Sequence, residues 1–221
     1  MKTLILFDFD KTIINKDTGF EFIFYALKRN IIRTSAAIIM APIAFLFHIS
    51  NRYRYIGNSI FLLIATCFNS KREIVNLRKS FIEKFLDEPG VIIFADALST
   101  IKKLQATGCE IFIVSGASKW IVSKVVNRIG LNDITIIASK ETYCFKGMIG
   151  LEHCYSNNKI RMIDRIIDID EASTVIGYTD SSSDIPLLSM CSTRNVINPT
   201  KRCETKIRNA FDGDVVVINW E

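Results

Sequence analysis

Four apolar residues, Leu4 to Phe7, run without a polar interruption and stop at Asp8. A short run of that kind predicts a strand buried on both faces, as in a parallel sheet. Similar runs recur at Glu110 to Val114, Ile134 to Ala138, Thr174 to Ile176 and Val215 to Ile218. Between them the apolar residues fall at helical spacing. Ala97 to Thr107 stops at Gly108, Lys119 to Ile129 stops at Gly130, and Asn158 to Ile167 carries Ile160, Ile163, Ile166 and Ile167. Strand and helix in alternation predict an α/β core with a parallel sheet.

The stretch from about Thr18 to Leu86 breaks the alternation. It carries no strand or turn signals and reads as several helices, inserted between the first strand and the rest. The predicted division is therefore a core of 1–15 and 88–221 with a helical cap of 16–87. Within the cap, Thr34 to Phe47 and Ile56 to Phe68 carry no charge. A membrane span needs about 20 apolar residues, and Pro42 interrupts the first run. Two readings stay open: buried cap helices, or contact with a bilayer surface or an acyl chain. Tyr143 to Gly150 predicts a small hairpin with Lys146-Gly147 at its turn.

Composition allows a sizeable core. Hydrophobic residues make up 49% of the 221, and fifteen Phe against ten Gly and four Pro argue against disorder. The net charge of +5 suits an anionic substrate or membrane surface, but no run of five or six basic residues supports nucleic-acid binding. The six cysteines, Cys67, Cys109, Cys144, Cys154, Cys191 and Cys203, form no C-x-x-C pair and read as reduced thiols of a cytoplasmic protein. Met1-Lys2 leads straight into the first strand and its acids, so no secretory leader is expected.

Asp8 and Asp10 follow the first strand with one residue between them. In an extended segment residues two apart point to one side, so two carboxylates crowd one spot at the strand's C-terminal end. Like charges that close are costly unless a cation or a shared proton relieves them. In open α/β sheets that end is also where ligands bind. The pair alone reads equally as two solvated loop acids. A second acid cluster, Asp180 and Asp184, follows another apolar run. Hard oxygen ligands in this number suit Mg²⁺, which takes one or two carboxylates plus water and substrate phosphate. Ser115 and Gly116 follow a third run and lead towards a predicted helix. That suits a phosphate cradle of backbone N–H groups, or an ordinary N-cap turn. Lys159 opens a helix after Ser156-Asn157-Asn158. At the surface it would be solvated; in the site it would offset the carboxylates and hold a phosphate oxygen.

Together these segments resemble the haloacid dehalogenase superfamily of phosphohydrolases, in the branch that contains phosphoserine phosphatases. The motifs match as D-x-D-x-T at Asp8 to Thr12, Ser-Gly at Ser115, the lysine at Lys159, and D-x-x-x-D at Asp180 to Asp184. Val196-Ile197-Asn198-Pro199 resembles the same branch. The resemblance implies a Rossmann-like three-layer core with a C1-type helical cap inserted after the first strand. It implies that Asp8 attacks phosphorus to form an aspartyl-phosphate, while Asp10 protonates the leaving alcohol and later activates water. It also implies Mg²⁺ held by Asp8, the backbone carbonyl of Asp10, and Asp180, with Asp184 nearby. Thr12, Ser115, Gly116 and Lys159 would bind the phosphate. Receiver domains of response regulators also gather Asp residues and a lysine, but their acceptor lies on a later strand and they lack a large cap. A degenerate phosphatase that only binds is opposed by the intact Asp8, Asp10, Lys159 and Asp180.

Phosphoserine phosphatases of this branch carry a Glu where Asp17 stands, a second Gly where Ala117 stands and an Asn where Ser183 stands. The run Gly-Tyr-Thr-Asp-Ser-x-x-Asp-x-Pro-Leu-Leu resembles instead the bacterial phosphatidylglycerophosphatase C type, as does the early cap around Phe24, Tyr25, Leu27, Pro42 and Arg52. Two substrate classes follow. One is a lipid-linked phosphate such as phosphatidylglycerophosphate, with the cap touching a membrane. The other is phosphoserine or another small metabolite, such as a sugar or polyol phosphate. Asp17 and Arg54 are the candidate contacts to the leaving group.

Overall fold

The computed structural model describes residues 2–49, 53–169 and 172–221. Arg52 lies outside the described residues. Among the described residues seven strands form one sheet: β1 (Thr3–Phe7), β2 (Glu110–Ser118), β3 (Thr135–Cys144), β4 (Gly147–Glu152), β5 (Thr174–Thr179), β6 (Thr193–Ile197) and β7 (Val216–Ile218). Their order is β4-β3-β2-β1-β5-β6-β7. The pairs β1/β2, β1/β5, β5/β6 and β6/β7 are parallel, and β3/β4 is antiparallel.

By contact, the chain divides into two compact units. The first comprises Met1–Lys16, Gly90–Ala138 and Cys154–Glu221; the second comprises Asp17–Pro89 and Ser139–His153.

In the first unit Leu4, Ile5, Leu6 and Phe7 are wholly buried. Leu4 and Leu6 join a cluster with Val114 and Val175 of the neighbouring strands, Met162 and Ile163 of α7 (Asn157–Ile163) and Leu187 of α8 (Ile185–Ser189). Phe7 instead stacks on Tyr178, with ring centroids 4.3 Å apart, and Tyr178 stacks on Trp220 at 5.7 Å. Both faces of β1 are covered, which is why its run is continuously apolar rather than alternating. Helices α5 (Ala95–Ala106) and α6 (Lys119–Arg128) end just before Gly108 and Gly130, whose φ angles of 78° and 76° only glycine adopts freely. The strand order reverses at β1, with β2 on one side and β5 on the other. The register pairs Phe7 with Ile113 and with Tyr178, so Asp8, Ser115 and Asp180 lie towards one end of the strands.

Several elements differ from expectation. β2 continues through Ser115 and Gly116 as far as Ser118, so the Ser-Gly pair lies on a strand rather than in the turn before α6. α7 ends at Ile163, although Ile167 still joins the core beyond it. β6 has no expectation behind it. It opens with Thr193, Arg194 and Asn195, and the buried Asn195 side chain donates to the Gly177 carbonyl at 3.2 Å. A polar residue satisfied inside the sheet hides the strand from an apolar pattern. α9 (Lys201–Ala210) precedes β7.

The second unit holds α1 (Thr18–Leu27), α2 (Ile31–His48), α3 (Arg54–Thr66), α4 (Lys71–Phe85) and the β3/β4 hairpin. Phe22, Phe81 and Phe85 are buried together, at centroid separations of 5.4 and 5.0 Å. Asp17 and Asn30 cap α1 and α2, and Ser70 with Glu73 forms a capping box on α4. The hairpin turns at Phe145-Lys146, both at positive φ, rather than at Lys146-Gly147. A Cβ on Gly147 would stand 2.9 Å from Leu63 and 3.2 Å from Cys67, so the hairpin packs directly on α3 and the following loop. The Met148 N–H donates to the Thr66 hydroxyl at 2.8 Å, and Arg78 pairs with Glu141. The two uncharged runs part company here. α3 buries Gly57, Leu62, Ala65 and Thr66, whereas among the described side chains of α2 only Ala37 and Ala44 are buried. Among the described residues no helix is long and apolar enough to cross a membrane.

Candidate active site

The Asp8 N–H donates to the Tyr178 carbonyl at 2.8 Å, which extends the β1/β5 ladder by one residue. Beyond it the chain turns sharply. The amides of Thr12, Ile13 and Ile14 all converge on the Phe9 carbonyl, with Lys11 at a φ of 59°. This turn buries Thr12 and leaves Asp10 half-buried. Asn15 then ties the outgoing chain to the returning one. It donates to the Gly90 carbonyl at 3.0 Å and accepts from the Ile92 N–H at 2.8 Å.

Lys159, two per cent exposed, enters from the first turn of α7. Its ammonium donates to Asp8 Oδ1 at 2.9 Å and to Asp184 Oδ2 at 2.7 Å. Asp184 ends a 3₁₀ turn (Ser182–Asp184) after β5, and its Oδ2 also accepts from the Thr179 hydroxyl at 2.8 Å. The Ser181 N–H donates to that same hydroxyl at 3.1 Å, and Ser181 Oγ accepts from the Ser183 N–H at 3.2 Å. Ser115 Oγ accepts from the Ala117 N–H at 3.0 Å, which leaves its own O–H free to donate. At Gly116 a Cβ would make only ordinary contacts, the nearest being the Cys154 carbonyl at 3.5 Å.

Burial and charge set the electrostatics. Burial pushes the Asp8 carboxyl up to about 6; Lys159 opposes this and Asp184 adds to it. Asp180 is pushed up to about 7 by burial first, then by Asp8 and Asp184, against the pull of Lys11 and Lys159. Burial alone would lower Lys159, but Asp184 and Asp8 outweigh it and hold the ammonium charged. Three carboxylates thus share one buried cation.

That excess of negative charge is the chemical argument for a divalent ion. Two buried atoms in the cluster, Asp184 Oδ1 and Thr12 Oγ1, have no hydrogen-bond partner among the described residues, which is the signature of a site completed by a ligand. No three His, Cys, Asp or Glu side chains among the described residues form a ligand cage by themselves. Mg²⁺ does not need one, since it binds through one or two carboxylates and fills its remaining positions with water and phosphate oxygens. The donor set therefore fits Mg²⁺. A cavity of about 370 Å³ lies beside Asp180, lined among others by Lys11, Ser181, Ser182, Thr200 and Cys203.

A sequence model of the haloacid dehalogenase-like hydrolases matches residues 5–189, a span that holds Asp8, Thr12, Ser115, Lys159, Asp180 and Asp184. The chain belongs to this family. Like its phosphoserine phosphatase-like members, this hydrolase is a phosphatase. It is 21% identical over 215 residues to a histidinol-phosphatase of Neisseria meningitidis, covering 94% of this chain and 96% of that one. A crystal structure of a Bordetella pertussis protein of unknown function superposes with a TM-score of 0.75 at 17% identity, covering 97% and 98% of the two chains. A substrate-bound phosphoserine phosphatase superposes at 0.63 and 17% identity, over 98% of this chain and 93% of the other. Phosphatases of the family generally use Mg²⁺.

Of the residues singled out from the sequence, the fold of this hydrolase brings Asp8, Lys159 and Asp184 into direct contact, with Asp180 close enough to be raised by Asp8 and Asp184. Thr12 and Ser115 are buried at the same sheet edge. Asp17 is exposed and caps α1, accepting from the Phe20 N–H at 2.9 Å. Arg54 is the first residue of α3, half-buried. Sequence reasoning missed Thr179, although a hydroxyl between two acids of one motif is a visible signal. It also missed Cys203, whose thiol donates to the Asp180 carbonyl at 3.1 Å. Asn198 and Trp220 exchange hydrogen bonds of 3.0 and 2.9 Å, so the Val-Ile-Asn-Pro segment anchors the C-terminal residues beside the stacked rings.

Proposed function

We propose that the protein is a Mg²⁺-dependent phosphomonoester hydrolase working through an aspartyl-phosphate on Asp8. The observation that carries this reading is the buried Asp8–Lys159–Asp184 chain beside Asp180. An Asp8 oxygen attacks phosphorus as the ester P–O bond breaks, and Asp10 delivers its proton to the departing alcohol oxygen. Asp10 then takes a proton from water as that water attacks the acyl phosphate, which releases inorganic phosphate and restores both carboxyl groups. Lys159 offsets charge on Asp8 throughout, and the Thr12 and Ser115 hydroxyls donate to the phosphoryl oxygens. Asp8, Asp180 and the Asp10 carbonyl would hold Mg²⁺, with Asp184 behind them. When bound, the ion supplies positive charge to the transferring group.

For the leaving group we favour a lipid-linked phosphate such as phosphatidylglycerophosphate. The Gly177 to Leu188 motif and the uncharged outer face of α2 support it. A second reading, a small hydroxylated metabolite such as phosphoserine or histidinol phosphate, is favoured by the similarity to a histidinol-phosphatase along nearly the full length of that protein.

Hydrolysis of p-nitrophenyl phosphate with Mg²⁺, lost in Asp8→Asn, tests the chemistry. Equal activity in the two proteins would remove Asp8 as nucleophile. A panel of phosphatidylglycerophosphate, phosphoserine and histidinol phosphate then ranks the alcohols by kcat/KM, and a soluble ester preferred by orders of magnitude would rule out the lipid.

A further inference from the structure

α2 is built inside out. A surface helix of a water-exposed domain turns its large apolar residues inward and its polar ones outward. Here, among the described side chains, the buried positions are Ala37 and Ala44. Ile32, Ile38, Ile39, Phe45, Leu46 and Ile49 are each at least 66% exposed. The spacing of Ile38, Ile39, Phe45, Leu46 and Ile49 sets them on one stripe of the helix, and no charge interrupts Thr34 to Phe47. Scattered exposed apolar residues are ordinary, but a contiguous stripe along a whole helix marks an interaction surface.

The charge around this helix says what the surface meets. From Phe22 to Arg72 the chain has no Asp or Glu, while Lys28, Arg29, Arg33, Arg52, Arg54, Lys71 and Arg72 are basic. The rest of the molecule has 21 basic residues against 23 acidic ones, so the net positive charge of the whole chain resides in this segment. Lys28 and Arg29 are exposed just ahead of α2. A second copy of the same face would bring two acid-free, basic segments together, and their charges would repel. An anionic lipid surface satisfies both features, taking the apolar stripe below the headgroups and the basic residues at the phosphate level.

We propose that α2 lies flat in the headgroup–acyl boundary of an anionic membrane, with its Ile, Phe and Leu stripe inserted and Lys28 and Arg29 against lipid phosphates. At 18 residues the helix would cover about 27 Å of surface. This surface belongs to the helical unit and is independent of the chemistry at Asp8, so the two stand or fall separately.

Flotation of the full-length protein with vesicles tests it. Vesicles of phosphatidylcholine mixed with phosphatidylglycerol should carry the protein about tenfold better than phosphatidylcholine alone, with the difference shrinking in high salt. Ile39→Ser with Leu46→Ser should abolish flotation, and Lys28→Gln with Arg29→Gln should remove the preference for anionic vesicles. Thermal unfolding and p-nitrophenyl phosphate hydrolysis should be unchanged in both variants. The proposal is overturned if the wild-type protein stays with neither vesicle, or if it floats equally well with the serine substitutions. It is also overturned if sedimentation reveals a dimer that the serine substitutions dissociate, which would make the stripe a contact between copies.

Discussion

At Asp17 the residue scale separates two roles that sequence alone leaves joined. The position matches one at which phosphoserine phosphatases carry a substrate-reading Glu, yet its Oδ1 accepts the Phe20 N–H at 2.9 Å and starts α1. Asn caps helices as well as Asp does, and Ala does not. Asp17→Asn should therefore keep both stability and activity, while Asp17→Ala should lose about 1 kcal/mol in a denaturant titration. A large rise in KM for an amine-bearing substrate in Asp17→Asn, with unchanged stability, would show instead that the carboxylate reads the substrate. Thr179 is the converse case, a residue with no assigned role in the sequence and a defined one in the fold. Its hydroxyl donates to Asp184 Oδ2, the same oxygen that Lys159 holds. Thr179→Val removes that donor without changing shape, and partners of this kind orient the groups around a metal. The expected cost is about 10- to 100-fold in activity or apparent Mg²⁺ affinity, with about 1–3 kcal/mol lost in stability because Asp184 and the Ser181 N–H each lose a partner. Rates measured across a Mg²⁺ titration would show it, and wild-type behaviour would reduce Thr179 to a packing role.

At the scale of elements, what was legible followed from how completely a segment's environment is written in its own residues. β1 shows itself because both faces are buried and its apolar run ends at an acid, and β5 because a short apolar run leads within a few residues to Asp180. α5 and α6 show their ends because glycine follows each. β6 stays hidden because its polar Asn195 finds a partner only in the folded sheet, the Gly177 carbonyl. The hairpin is visible, but its membership of the helical unit is not, since that depends on Gly147 meeting Leu63 and Cys67 from a distant part of the chain. Gly177 shows the same kind of long-range constraint next to the site. A Cβ there would stand 2.7 Å from Cys191 Sγ and 3.0 Å from Leu188 Cδ2, inside a core so apolar that burial pushes the Cys191 thiol up to about 12. Gly177→Ala should therefore cost about 1–3 kcal/mol by overpacking. Because β5 carries Thr179 and leads to Asp180, activity should fall with stability. Chemical denaturation of the variant gives the number, and Gly177→Ala with Cys191→Ala should recover part of it.

At the scale of the whole molecule, the candidate site residues Asp8, Ser115, Lys159, Asp180 and Asp184 are scattered along the chain, and a parallel sheet gathers Asp8, Ser115 and Asp180 because its strands deliver their C-terminal ends to one edge, while α7 brings in Lys159. That is why their order along the sequence was informative before any distance was known. What the order did not convey is the balance of charge. Asp8, Asp180 and Asp184 share one buried ammonium, and burial holds Asp8 and Asp180 near 6 and 7 against the ordinary carboxylate range. Such a cluster gains more from a divalent cation than any surface acid pair would, because the ion removes repulsion already present in the fold. Mg²⁺ at a hundred times its dissociation constant should add about 2.7 kcal/mol, which for a chain of this size raises Tm by roughly 5–10 °C. The gain should be local. Amide exchange should slow in β1, β5 and α7, whose residues meet at the cluster, and stay unchanged along α2. Asp180→Asn removes one of the two carboxylates proposed to hold the ion while leaving the Lys159 bonds to Asp8 and Asp184 intact. In that variant the Tm shift should vanish and the exchange pattern with and without Mg²⁺ should coincide. A shift that survived the substitution would mean that the ion binds away from Asp180, and the assignment of the acid cluster as its site would then be wrong.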